Sequence, residues 1–97
     1  MFSNEIGAAQ AALLKEGIAH CGVGNWSEIR RGLLPEWDEL EIRLKTCRLF
    51  GKQNLSSYTG WKGTEEDIKQ EYEKNKQLGA KQPERWKFGL LVDEVGP

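Results

Sequence analysis

The side chains best suited to acid–base, nucleophilic or metal chemistry are few in this sequence. His20 is the single histidine, and Cys21 and Cys47 are the two cysteines. A zinc site needs several clustered ligands, and a catalytic triad needs a histidine with matched partners. We therefore expect no metal site, no catalytic residues and two reduced thiols.

A glycine-rich loop that binds a nucleotide is also disfavoured. Gly22 and Gly24 form a pair without a third glycine, and they precede a predicted helix instead of following a strand. The sequence has neither a P-loop nor the Asp-Pro-Pro-Trp motif of adenine methyltransferases. No apolar run approaches the ~20 residues of a membrane span, so we expect no membrane partner.

The basic residues are the more informative charged group. The formal net charge is -1, yet the stretch from residue 42 to residue 62 contains no acidic residue. A local basic window of this kind is compatible with contacts to nucleic-acid phosphates. Pairing between Glu41 and Lys45, one helical turn apart, is the competing explanation. The candidate DNA-binding residues are Arg30, Arg31, Arg43, Lys45, Arg48 and Lys52.

Three helices are predicted in the first 58 residues. Gly22 and Gly24 end the first helix, the second runs from Trp26 to about Leu34, and Pro35 stops it. The third runs from about Glu36 to Phe50 and is closed by Gly51. Apolar spacing predicts a core formed by Trp26, Ile29, Leu40, Leu44 and Cys47. We expect an all-α, three-helix bundle of the helix-turn-helix type.

The segment from residue 59 to residue 97 predicts a second unit. Thr64 is a suitable N-cap for a charged fourth helix, with Gly79 as its C-cap. An extended apolar arm follows, which must fold back on the bundle or bind a partner. The predicted partner-binding residues are Ile42 and Leu49 on the third helix, and Trp86, Phe88, Leu90 and Leu91 in the arm. For Ile42 and Leu49, cover by the chain's own tail is the alternative.

The glycine–asparagine–tryptophan corner at residues 22–29 resembles the first corner of Myb/SANT and homeobox-like domains. The longer run from Gly17 to Lys62 resembles the homeobox-like accessory subunits of ciliate DNA 6-methyladenine methyltransferase complexes, most closely at residues 22–29, 41–47, Gly51 and 58–60. The resemblance covers about half of the chain.

The resemblance implies a nuclear, non-catalytic subunit of a hetero-oligomer that binds or positions double-stranded DNA. Its catalytic partners would use S-adenosylmethionine, and this chain would need no cofactor. Two alternatives stay open. One is a SANT-like protein-interaction module of a chromatin complex, and the other is a purely structural stabiliser of an enzyme pair.

Overall fold

A computed structural model describes residues 8–92 and consists of a small helical bundle with a short C-terminal hairpin. This confirms the predicted all-α class. The helices are α1 (Ala8–Cys21), α2 (Trp26–Leu33), α3 (Glu39–Phe50) and α4 (Glu65–Lys81). Strands β1 (Trp86–Lys87) and β2 (Leu90–Leu91) pair antiparallel. Within the described residues, no helix is long and apolar enough to cross a membrane.

The corner between α1 and α2 is fastened to a later loop. Gly22 and Gly24 have φ angles of 91° and 99°, in the left-handed region that glycine adopts without strain. Between them, the Val23 N–H donates to the Trp61 carbonyl at 2.9 Å, and the Val23 carbonyl accepts from the Gly60 N–H at 2.7 Å. Trp26 then packs against the core and Ile29 is fully buried, as predicted.

Helix α3 begins and ends at residues whose chemistry suits those positions. The Asp38 carboxylate caps the helix by accepting a hydrogen bond from the Glu41 N–H at 2.7 Å. The helix therefore begins at Glu39, three residues after the predicted start. Gly51 closes the helix in the left-handed conformation with φ 66°. The prediction that Gly51 ends α3 is confirmed.

The predicted core face of α3 is wrong, because Leu40 and Leu44 are 56% and 49% exposed. The buried face consists of Ile42, Thr46 and Phe50, with Cys47 beside them as predicted. Thr46 tolerates burial because its hydroxyl donates to the Ile42 carbonyl at 2.8 Å.

Two residues predicted to bind a partner through α3 contribute to the core instead. Ile42 is fully buried, and Leu49 is partly buried against the core. The face turns inward because the Phe50 ring, at its C-terminal end, packs 4.7 Å from Tyr58 and 5.1 Å from Trp61 between ring centroids.

Helix α4 packs along α3 and is held by a polar contact in the core. Thr64 and Asp67 form a reciprocal capping box, which confirms Thr64 as the N-cap. The buried Asn75 amide donates to the Phe50 carbonyl at 2.8 Å and to the Tyr58 hydroxyl at 3.1 Å. These bonds fix the position of α4 against the end of α3.

The predicted C-cap of α4 is wrong, since the helix continues through Gly79 to Lys81. Gly79 is buried because the Trp86 indole lies directly on it. A Cβ atom at this position would approach Cε3 of the indole to 2.5 Å. The glycine is therefore required for packing and not for ending the helix.

The apolar arm folds back on the bundle. The Leu91 N–H donates to the Gly51 carbonyl at 2.8 Å, and the Leu91 carbonyl accepts from the Gln53 N–H at 3.0 Å. Leu91 is 1% exposed, so its predicted role in partner binding is wrong. Trp86 and Leu90 are half-buried, whereas Phe88 is 89% exposed. Residues 93–97 of the predicted arm lie outside the described residues.

Candidate nucleic-acid interface

A cleft of about 400 Å³, lined by polar and apolar residues, lies beside the α1–α2 corner. One wall is the corner itself, with Gly24 and Trp26, and a second wall is Arg43 from the middle of α3. The third wall is the loop after α3, which contributes residues 53–56 and Thr59. The cleft therefore combines a guanidinium group with amide and hydroxyl side chains from a separate part of the chain.

Local hydrogen bonds shape the loop that forms the third wall. The Asn54 side-chain oxygen accepts from the Ser56 N–H at 2.9 Å, an Asx-type turn. The Thr59 hydroxyl donates to the Ser56 carbonyl at 2.9 Å. The Cys47 thiol donates to the Gln53 carbonyl at 3.3 Å, so the start of the loop is bonded to α3. These contacts fix the course of the loop at residues 53–59 beside the cleft.

Arg43 is the cation of this cleft. Its side chain is exposed, and among residues 8–92 it forms no ion pair. Its positive charge opposes the effect of burial on Cys47, but burial dominates and raises the pKa of that thiol. The guanidinium group is thus available to an anion, while the neighbouring thiol stays protonated and unreactive.

The other candidate arginines differ in whether their side chains also form hydrogen bonds within the fold. Arg31 is exposed on α2. Arg30 donates through Nε to the Trp37 carbonyl at 2.6 Å, and Arg48 donates through Nη1 to the Phe88 carbonyl at 2.7 Å. Their charges face solvent, but their side chains also hold the fold together.

Lys45 and Lys52 are both half-buried. The Lys52 backbone forms an isolated bridge to Leu91, so this residue belongs to the junction between α3 and the hairpin. Because successive residues of a helix are about 100° apart, Lys45 and Arg43 lie on opposite flanks of α3. The predicted basic residues therefore do not form a single stripe.

The outer face of α3 is amphipathic in its own right. Leu40 and Leu44 are exposed there, with Glu41 and Arg48 on the same side of the helix. The Arg48 guanidinium donates to the Phe88 carbonyl, so the Phe88 backbone lies at the C-terminal end of this face, and the Phe88 side chain is 89% exposed. We call Leu40, Leu44 and Phe88, with Glu41 and Arg48, the outer α3 surface.

Sequence reasoning missed the loop side chains of the cleft. Gln53, Asn54, Ser56 and Thr59 lie in a polar run between Gly51 and Gly60. The run itself was visible as a loop with hydrogen-bonding side chains. Its meeting with Arg43 and Trp26 was not, because the three segments come together only in the folded bundle.

The structure describes the titratable and metal-ligating groups of residues 8–92. No group of three or more potential metal ligands occurs among them. Burial raises the pKa of the Tyr58 phenol, and its hydroxyl donates to Glu71 at 2.9 Å in a structural contact.

Comparisons with protein-family models and with curated protein sequences find no match to this chain.

Proposed function

We propose that this chain is a nuclear, non-catalytic accessory subunit of a DNA adenine methyltransferase complex, in which it contacts the DNA backbone. The observation that carries the DNA contact is the cleft formed by Arg43, Gln53, Asn54 and Ser56 beside the α1–α2 corner. The methyltransferase context rests on the sequence resemblance at residues 17–62.

The chemistry of the cleft suits a phosphate group. Arginine, glutamine, asparagine and serine side chains are common donors to phosphate oxygens in protein–DNA complexes. A guanidinium group can bind two oxygens at once, and hydrogen bonds to a charged acceptor are stronger than neutral ones. The cleft lies next to the α1–α2 corner, and in homeodomains the loop between the first two helices contacts the DNA backbone.

The remaining charged residues favour contacts that position the DNA backbone over recognition of a base sequence. Glu41, Leu40 and Leu44 occupy the outer face of α3, where a recognition helix would present base-contacting donors. Arg31 and Arg43 are cations on other faces and suit contacts to phosphates. A weak, sequence-independent module of this kind gains its effect inside a complex, where tethering raises its effective concentration at DNA.

A protein-interaction module is the second candidate, favoured by the outer α3 surface. Leu40, Leu44 and Phe88 are large apolar side chains left exposed on a small domain. Apolar residues grouped in this way mark protein contacts more often than isolated ones. A SANT-like role in a chromatin complex is compatible with this surface and does not require the cleft.

Methylation of duplex DNA by the catalytic subunits tests the proposal. The reaction is run without this chain, with the wild type, and with a variant carrying Arg31→Glu and Arg43→Glu. The matched control carries Lys69→Glu and Lys76→Glu, two exposed lysines on α4. We expect stimulation by the wild type and the control, and its loss with the arginine variant despite normal assembly.

Two other results would contradict the proposal in different ways. Equal stimulation by all three proteins would show that the chain acts as a scaffold and that the cationic residues do not position DNA. No stimulation by the wild type would remove the accessory role itself.

A further inference from the structure

The outer α3 surface is acidic at its N-terminal end and basic at its C-terminal end. An antiparallel copy of the same surface would therefore carry complementary charges. The N-terminal half of the surface is acidic, with Glu41 exposed beside Leu40. Its C-terminal half carries Arg48, whose guanidinium is bonded to the Phe88 carbonyl. Leu44 lies midway, four residues from Leu40 and four from Arg48, so the three occupy successive turns of one face.

We propose that this surface binds a second copy of the chain, with the two α3 helices antiparallel across a two-fold axis near Leu44. In this arrangement Leu44 meets Leu44 of the other copy. Leu40 of each copy packs against the Arg48 stem and Phe88 of the other. Glu41 of each copy then lies near Arg48 of the other, so both ends of the contact pair opposite charges.

The two-fold arrangement follows from the rule that a symmetric dimer uses one self-complementary patch. A parallel pairing is disfavoured, because it would place Glu41 against Glu41 and Arg48 against Arg48. An unrelated partner helix would need the same apolar spacing with acidic and basic ends in the matching order. The chain itself supplies that combination.

The area of the outer α3 surface limits the expected strength of self-association. Stable dimers bury about 800 Å² per partner, and one helix face with a neighbouring phenylalanine offers less than that. We therefore expect a weak dimer that forms as the protein concentration rises. The contact leaves the cleft open, because Arg43 is about 100° around the helix from Leu44.

Sedimentation equilibrium of the purified chain, without DNA, tests the dimer. The mean mass of the wild type should rise from that of the monomer toward twice that value with increasing concentration. Leu44→Glu should keep the protein monomeric. Leu78→Glu, at an exposed leucine on α4, is the matched control and should dimerise normally.

A charge exchange tests the antiparallel geometry. Glu41→Arg and Arg48→Glu should each weaken self-association, since each places like charges together at both ends. An equimolar mixture of these two variants should associate again. In the mixed dimer one copy carries arginine at both positions and the other carries glutamate at both, so each end of the contact pairs opposite charges. Far-ultraviolet circular dichroism checks that each variant keeps its helical content.

A wild type that stays monomeric at every concentration would overturn this inference. So would a dimer that tolerates Leu44→Glu, or a mixture that stays as weak as its components. The inference goes beyond the proposed function, and sedimentation without DNA separates its failure from a failure of DNA binding.

Discussion

The inner and outer faces of α3 have similar apolar content but opposite environments. Ile42 and Phe50 are fully buried on the inner face, whereas Leu40 and Leu44 are about half exposed on the outer face. The inner face also buries Thr46, which a count of apolar residues would assign to solvent. The difference shows that the contacts at the end of a helix can decide which face becomes core.

Those contacts are concentrated at the C-terminal end of α3. Phe50 packs against Tyr58 and Trp61, and its carbonyl accepts from the buried Asn75 amide. With Phe50 fixed inward, the helical period places Thr46 and Ile42 on the same side one and two turns earlier. The leucines are left outward, where they are available to another molecule.

The largest expected effect is the difference in stability between alanine variants on the inner and outer faces of α3. Ile42→Ala should lower the free energy of unfolding by about 2–5 kcal/mol, because it leaves a cavity in the core. Leu44→Ala should lower it by less than about 1 kcal/mol, since half of that side chain already faces water. Urea denaturation measures both values. Equal losses would mean that the two faces do not differ in this way.

A second prediction concerns the packing of the hairpin on α4. Gly79→Ala should destabilise the protein by about 1–3 kcal/mol, because the new methyl group collides with the Trp86 indole. Gly32→Ala is the matched control within α2, where an added Cβ meets nothing within 4 Å. Alanine there should stabilise the helix by about 0.5–1 kcal/mol.

Thermal unfolding followed by tryptophan fluorescence measures both glycine variants. Opposite changes in the melting temperature are expected. A Gly79→Ala protein as stable as the Gly32→Ala protein would show that Trp86 does not pack on α4.

The smallest expected effect is a loss of stability at alkaline pH. Burial raises the pKa of Tyr58 above 10.0 and that of Cys47 above 9.0, their ordinary values. For each group the folded protein holds its proton more tightly than the unfolded chain. This stabilisation is complete below the ordinary pKa and is lost as the pH rises through the folded-state pKa.

We therefore expect the free energy of unfolding to fall as the pH rises above 9.0. Tyr58→Phe should be less stable than the wild type near neutral pH, since it loses the bonds to Glu71 and Asn75. Its further decline above pH 10.0 should be shallower, because the titrating phenol is gone. Parallel pH profiles of the two proteins would rule out a buried Tyr58 phenol as a source of the decline.

Features that depend on a single residue's chemistry were predictable from the sequence. Gly51 ends α3 through a left-handed conformation, and Thr64 caps α4 through its own hydroxyl, so neighbouring residues are sufficient to predict both. The start of α2 at Trp26 and the buried Ile29 followed from the glycine corner in the same way.

Features that depend on contacts between distant segments were not predictable. The burial of Ile42 requires Phe50 to meet Tyr58 and Trp61, and Gly79 is explained only by Trp86. The sequence alone indicates Arg43 as a candidate DNA-binding cation but does not predict the cleft. The partners of Arg43 in the loop at residues 53–56 became apparent only when the fold brought them to the α1–α2 corner.

Binding of duplex DNA at a series of salt concentrations tests whether Arg43 contacts DNA phosphates. Fluorescence anisotropy compares the wild type with Arg43→Gln, and Lys76→Gln on α4 is the control for loss of one charge. We expect the wild type to bind DNA with an affinity that falls as the salt concentration rises. Arg43→Gln should bind more weakly with a salt slope smaller by about 1, while the control should be unchanged. No binding by the wild type at low salt, or equal binding by Arg43→Gln, would show that Arg43 does not contact phosphate.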